Sequence, residues 1–293
     1  MEYKNINENV EFKVFLKKFR HIKIEDKKKL DYFIYPKSTS LFKKIHHDNM
    51  NIVIKNIDNK EYLINIKKSI YFYNNNQIKE ILNYYKTLSN NFSEIQCNRY
   101  VNKIKEIINN TKIKKSHESI VDDFVRILFQ ISGIDDGKKL NIESQHKLYL
   151  NIGSNKIPSI PDITCKTNKD IIWMVEESKH INNSTYLNGD LQLICHILSA
   201  FQYNEKHKKR KNKPKTIYGF KMKNTKCFFY KINMFNNYMK YLVDGKFDKS
   251  VFVYKYPEKG IDINPYTINS YNNIREVFSI LYNLQCKVAP LII

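Results

Sequence analysis

Apolar positions recur along this chain in two rhythms, one suited to strands and one to helices. Asn51-Ile-Val-Ile-Lys and Glu61-Tyr-Leu-Ile-Asn-Ile alternate with a period of two, which predicts two strands joined by a turn through 57–60. Helical spacing takes over at 77–88 and 93–108, and Asn109-Asn-Thr-Lys breaks it. Beyond residue 115 the pattern sharpens. Ser116 can cap a helix on which Ile120, Phe124, Ile127, Leu128 and Ile131 share a face, and Gly133 is placed to stop it. Strand-like segments follow at 139–144 and 147–152, with two more inside 160–179. A helix is expected over 188–205, then strands at 216–222, 226–231 and 251–256, and a last helix over 272–284. This order predicts an α/β domain over 116–293, with helices packed on a mixed sheet, after a small α+β unit over 1–115.

One segment breaks the economy of that pattern. Ile171 to Val175 is apolar on both faces, as a buried strand should be, yet the strand ends Glu176-Glu177-Ser178-Lys179, and Asp162 heads the segment before it. Charges at the end of a buried strand need partners or a ligand. A two-residue turn at Asn168-Lys169 would set Asp162 opposite Val175 and diagonal to Glu177, with Cα atoms about 7–8 Å apart on one face. Lys179 shares that face, and Glu176 and Ser178 take the other. A bulge or an odd-length loop would exchange Glu177 for Glu176. Asp162 and Glu177 together offer hard oxygen ligands for Mg²⁺ or Mn²⁺. A lysine beside them can orient or deprotonate a water and offset charge that builds on phosphorus. The combination suits metal-assisted hydrolysis of a phosphodiester.

Composition adds a partner class. The 293 residues carry 50 basic and 29 acidic side chains, a formal charge of +21, which favours a polyanion such as nucleic acid. The basic residues are nearly all lysine, and the wealth of Asn, Ile and Tyr is what an AT-rich genome would write, so charge permits this partner without identifying it. No apolar run is long enough to span a bilayer and the N-terminus has no signal-peptide core, which points to an intracellular chain with no membrane partner. The five scattered cysteines read as ordinary reduced thiols. The run Lys206–Lys215 could grip phosphates or be a solvated loop, and Lys208-Lys-Arg-Lys has the composition of a nuclear-localisation patch. Trp173 reads as core, Asp170 as a turn residue, Glu176 as a supporting or surface charge, and His46-His47 as loop histidines.

Pro161-Asp162, a strand–turn–strand spacer, then Glu177-Ser178-Lys179 resembles the signature of the PD-(D/E)xK nuclease superfamily, and the order of elements from Ser116 to Tyr256 resembles its restriction-endonuclease-like core. The resemblance implies a Mg²⁺- or Mn²⁺-dependent nuclease acting on DNA in preference to RNA. Asp162 and Glu177 would be metal ligands, and Lys179 the water-positioning residue. In that family an acidic residue often comes from the preceding helix; Glu118 matches it, and Asp122, one turn on, is its rival. RecB-like members carry a glutamine on the helix after the lysine, which Gln192 matches, followed by a tyrosine one turn on, where this chain has His196. The wording Val-Glu-Glu-Ser-Lys-His also looks like Crinkler-type and fungal members. Gln192, His196, Ser199 and Tyr203 fall on one helical face; the last three read as the wet side of an amphipathic helix, with Gln192 nearest the carboxylates. Two other functions fit the same sequence: a catalytically inactive protein of this fold that binds nucleic acid or a protein, and a partner-binding role for residues 1–115.

Overall fold

The period-two segments assemble into one mixed sheet of seven strands plus a separate two-stranded hairpin. A computed structural model describes residues 35–64, 76–87, 98–113, 118–179, 186–206, 215–234, 236–247 and 249–292. In chain order the elements are α1 (Lys44–Asn49), β1 (Ile52–Asn56), α2 (Lys60–Leu63), α3 (Asn76–Thr87), α4 (Asn98–Ile113) and α5 (Glu118–Ile131). They continue as β2 (Leu140–Ser144), β3 (Leu148–Ile152), β4 (Asn155–Ser159), β5 (Ile163–Thr167), β6 (Ile172–Lys179) and α6 (Tyr186–Lys206). The chain closes with β7 (Thr216–Lys223), β8 (Lys226–Asn233), α7 (Asn236–Val243), β9 (Val251–Asp262) and α8 (Ser270–Ile292).

The sheet order is β1-β9-β8-β7-β6-β5-β2. The pairs β1–β9 and β6–β7 are parallel and the others antiparallel. Helices cover both faces, so the central strands are buried on both sides, and this is why β6 and β7 read as nearly continuous apolar runs. On one face α3, α4, α5 and α8 pack around Tyr85, Tyr100, Phe124, Phe220 and Phe278. On the other, α6 lays Leu193, Ile197 and Phe201 against Ile172, Val175 and Tyr230, and the β3–β4 hairpin packs on the same cluster. Because β1 joins β9 and α3 and α4 share a core with α5 and α8, sheet and core run continuously across residue 115.

Several expectations are corrected. Glu61 to Leu63 lie in the single turn of α2 rather than a strand, because the Asn59 side chain accepts from Glu61 N at 2.8 Å and starts a helix there. The helix expected over 93–108 runs on to Ile113, so Asn109-Asn-Thr-Lys lies inside it; it is described from Asn98, and residues 93–97 lie outside the described residues. β4 and α7 were not anticipated; β4 follows β3 through a tight turn at Gly153, whose φ of 54° suits glycine. His46 and His47 are not loop residues: both are buried in α1, and His46 Nδ1 accepts from Lys43 N at 2.7 Å. Gly133, with φ of 75°, ends α5 as expected. Ser116 and most of the Lys206–Lys215 run lie outside the described residues.

Phe220 is fully buried on the α5 side, edge-on to both Phe129 and Phe229. Phe220→Ala should therefore lower the unfolding free energy by about 3–5 kcal/mol, read from the denaturant midpoint at unchanged slope.

Candidate active site at the end of β6

The carboxylate segment is formed by β5 and β6, but in a different register from the one the two-residue turn implies. Asp170 takes a positive φ of 56°, and a bulge lies at Cys165/Lys166. The observed pairs are Ile163 with Glu176 and Thr164 with Val175, a slip of two positions from the expected pairing of Asp162 with Val175. A slip of one would have sent Glu177 to the other face; a slip of two keeps the face and brings Asp162 closer to Glu177. Asp162 stands just before β5. Its Oδ2 accepts from Ser178 N at 2.8 Å, taking up a backbone donor beyond the last β5–β6 pair.

Glu177, 1% exposed at its side chain, is gripped from two directions. Lys179 Nζ pairs with Oε1 and keeps 17% of its own side chain in solvent. His196, from α6, lies with Nε2 2.9 Å from Oε2. A carboxylate can only accept, so Nε2 carries the hydrogen; Ser159 Oγ, at the end of β4, lies 2.7 Å from the other ring nitrogen, Nδ1. His196 and Ser159 are both fully buried. His196 and Lys179 pull the Glu177 carboxyl below the usual carboxylate range against the opposing effect of burial.

The line Ser159–His196–Glu177 has the composition of an acyl-transfer triad but neither its polarity nor its access. In that chemistry Nε2 faces the nucleophile and Nδ1 the acid; here the two are exchanged, and Ser159 is sealed from solvent.

Asp162 has the opposite electrostatic problem. Burial, then Glu177, then Asp122 push its carboxyl up to about 8, against the smaller pull of Lys179 and the Ser178 N–H. Glu176 points to the α5 side, level with Phe220, and is fully buried, so it is no surface charge. Ser178 Oγ donates to its Oε1 at 2.7 Å, and Oε2 has no hydrogen-bond partner among the described residues. Burial first and Asp162 second raise this carboxyl well above its ordinary value, and Asp122 adds to both effects. Asp122, on α5, thus belongs to the cluster; the Glu118 side chain lies outside the described residues. Gln192, half-buried on α6, lies one turn before His196. The rest of its stripe is not wet: His196 and Ser199 are buried, Ser199 Oγ donates to Cys195 O at 2.8 Å, and the Tyr203 hydroxyl donates to Asp170.

A second buried ionic group adjoins the first. Asp190, near the start of α6, receives Lys221 from β7, the Tyr230 hydroxyl at 2.8 Å and Lys255 from β9 at 2.8 Å. The register sets Lys221 beside Glu177. Gly189 leaves room for both lysine stems: a Cβ there would lie 3.1 Å from Lys179 Cγ and 3.5 Å from Lys221 Cδ. Sequence reasoning missed Ser159, His196, Asp190 and Lys221. A signal existed for Lys221, a charge in the strand Tyr218-Gly-Phe-Lys-Met that is apolar on both sides of it.

The chain matches no family model, and no curated protein matches it.

The two carboxylates fit a hard divalent ion. Asp162 is a half-buried carboxyl whose anionic form is destabilised by desolvation and by its acidic neighbours, which a cation would reverse, and Mg²⁺ is commonly held by one or two carboxylates with the remaining positions left to water and phosphate. Among the described residues no group of three or more His, Cys, Asp or Glu is arranged to hold a metal ion.

Two outcomes follow. Asp162 binds its proton more tightly folded than unfolded, so its contribution to stability is complete below about pH 4 and is lost as pH rises towards 8. Denaturant titrations in a metal chelator should show unfolding free energy falling over that window, and Asp162→Asn should flatten its share of the slope. Asp190→Asn leaves two buried ammonium groups without their counter-charge and should cost about 3–5 kcal/mol in the same assay.

Proposed function

We propose that this chain is a Mg²⁺- or Mn²⁺-dependent nuclease that hydrolyses phosphodiester bonds, in DNA ahead of RNA, on a restriction-endonuclease-like core. The observation that carries the proposal is the meeting of Asp162, Glu177 and Lys179 at one end of the sheet. The order α5, β2, β5, β6, α6, β7, with the β3–β4 hairpin inserted between β2 and β5, the acidic strands paired and the next helix returning onto β6, supports that reading of the core. The charge of +21 supplies long-range attraction for a polyanion. The choice of DNA comes from the resemblance alone.

In this mechanism Asp162 and Glu177 hold the ion, which when bound supplies Lewis-acid stabilisation of a phosphoryl oxygen and acidifies water. Lys179, more exposed than Glu177, faces the phosphate and orients or deprotonates the attacking water. Asp190 holds Lys221 and Lys255 as a compact cationic group behind Lys179, where positive charge favours the anionic transition state. Gln192 is a supporting polar contact on the first turns of α6.

One observation favours a second reading, a nuclease-fold protein that binds nucleic acid without cutting it. Both Glu177 oxygens are already engaged, by Lys179 and His196, and the group is almost fully buried. Cleavage of supercoiled plasmid separates the two. The nuclease reading expects nicking that needs Mg²⁺ or Mn²⁺ and stops with chelator, and Asp162→Asn, Glu177→Gln and Lys179→Ala should each lower the rate by about 10²–10⁴-fold. Equal cleavage by the three variants removes the site assignment. Salt-sensitive DNA binding with no cleavage in any divalent metal selects the second reading.

A further inference from the structure

The carboxylate pair is not held by β5 and β6 alone. Glu177 Oε2 is fixed by His196 Nε2, and His196 Nδ1 is fixed by Ser159 Oγ. Ser159 ends β4, and two residues separate it from Asp162. The hairpin that carries Ser159 is clamped to α6 a second time, further along the helix. Asn151 N donates to Gln202 Oε1 at 2.7 Å, and Gln202 Nε2 donates to Asn151 O at 2.9 Å. One imidazole therefore touches one carboxylate and anchors the chain segment that leads to the other.

We propose that His196 is the positioning residue of the carboxylate pair: donating from Nε2, it occupies Glu177 Oε2 and leaves Oε1, the oxygen shared with Lys179, as the single atom Glu177 offers to a divalent ion. The inference rests on the nuclease reading and deepens it, since it states how Glu177 binds and what fixes that geometry. Three features carry it. All three side chains are buried, so the bonds have no water to compete with them. The carboxylate must accept from Nε2, and a ring whose single hydrogen lies there accepts at Nδ1 from the Ser159 hydroxyl. Ser159 therefore selects the tautomer as well as the ring's orientation, the part that outer hydrogen bonds to metal-binding side chains are known to play. His196 itself touches neither substrate nor metal.

The test uses the full chain. In the unmutated protein at fixed pH, ¹⁵N NMR of the histidine side chains should report His196 as the Nε2–H tautomer, and Ser159→Ala should let the Nδ1–H form appear. Mn²⁺ titrated alone should bind His196→Ala about 10–100-fold more weakly than the wild type, Ser159→Ala with a smaller loss, and His196→Gln, which keeps a donor near Oε2, should recover part of the affinity. Plasmid cleavage at saturating Mn²⁺ should recover more fully than cleavage at limiting Mn²⁺, because the defect lies in holding the ion. Should His196→Ala fold poorly, the tautomer in the wild type and the Ser159→Ala titration still decide the matter. An Nδ1–H tautomer in the wild-type protein, or wild-type Mn²⁺ affinity in both His196→Ala and Ser159→Ala, overturns the proposal while leaving the nuclease reading to the Asp162 and Glu177 variants. If the wild type binds no Mn²⁺ at all, the nuclease reading fails and takes the ligand role of Glu177 with it, even where the tautomer is the one expected.

Discussion

The Glu177 carboxylate, carried into the interior at the end of β6, is the constraint around which this region is arranged. An ionised carboxyl cannot be buried without partners, and here there are two, Lys179 on the same strand and His196 on α6, the histidine backed in turn by Ser159 on the β3–β4 hairpin. Each demands that an element be packed in place. α6 must lie close over β6 and β7, and the hairpin must dock on α6. The hydrogen-bond chain is thus a specification of tertiary structure written in polar atoms.

The two faces of β6 solve the same problem in opposite ways. On the α6 side the buried charge is met with donors: the Lys179 ammonium and the His196 Nε2–H at Glu177, and next to them Lys221 and Lys255 around Asp190. On the α5 side Glu176 has Ser178, one oxygen with no described hydrogen-bond partner, and the acidic Asp162 and Asp122 nearby, so burial and these neighbours raise its carboxyl well above its ordinary value. Asp162 stands at the rim between the two, with burial, Glu177 and Asp122 raising its carboxyl and Lys179 and the Ser178 N–H opposing them. It is the member of the pair that a divalent cation would change most.

Local signals were readable where a single element sufficed. The amphipathic spacing of α5 and its glycine stop, the strands β5 through β8, and the long α6 follow from period and capping. The grouping of Asp162, Glu177 and Lys179 was legible because strand parity survives an error of two residues in register, and the error made was of that size. The β4 strand, Asn155-Lys-Ile-Pro-Ser, gave no alternation strong enough to mark it, and α2 was misread because one Asn cap outweighs three residues of pattern. His196, Ser199 and Tyr203 were assigned to water because helical spacing shows that they share a face but not what lies opposite. What lies opposite His196 is a buried glutamate, what lies opposite Tyr203 is Asp170, and Ser199 turns back onto its own helix.

By itself the sequence determined which residues sit on a common strand or helix face and that the end of β6 carries charge an apolar environment would resist. Those properties depend on backbone geometry over a few residues, which repeats every two or 3.6 positions whatever surrounds it. Only the tertiary structure decided that His196 belongs to Glu177, that Ser159 stands behind it, and that Asp190 gathers Lys221 and Lys255 from two different strands. Those pairings join side chains as far as 65 positions apart, and their reason is desolvation: buried polar groups find whichever complement the packing brings within hydrogen-bond reach.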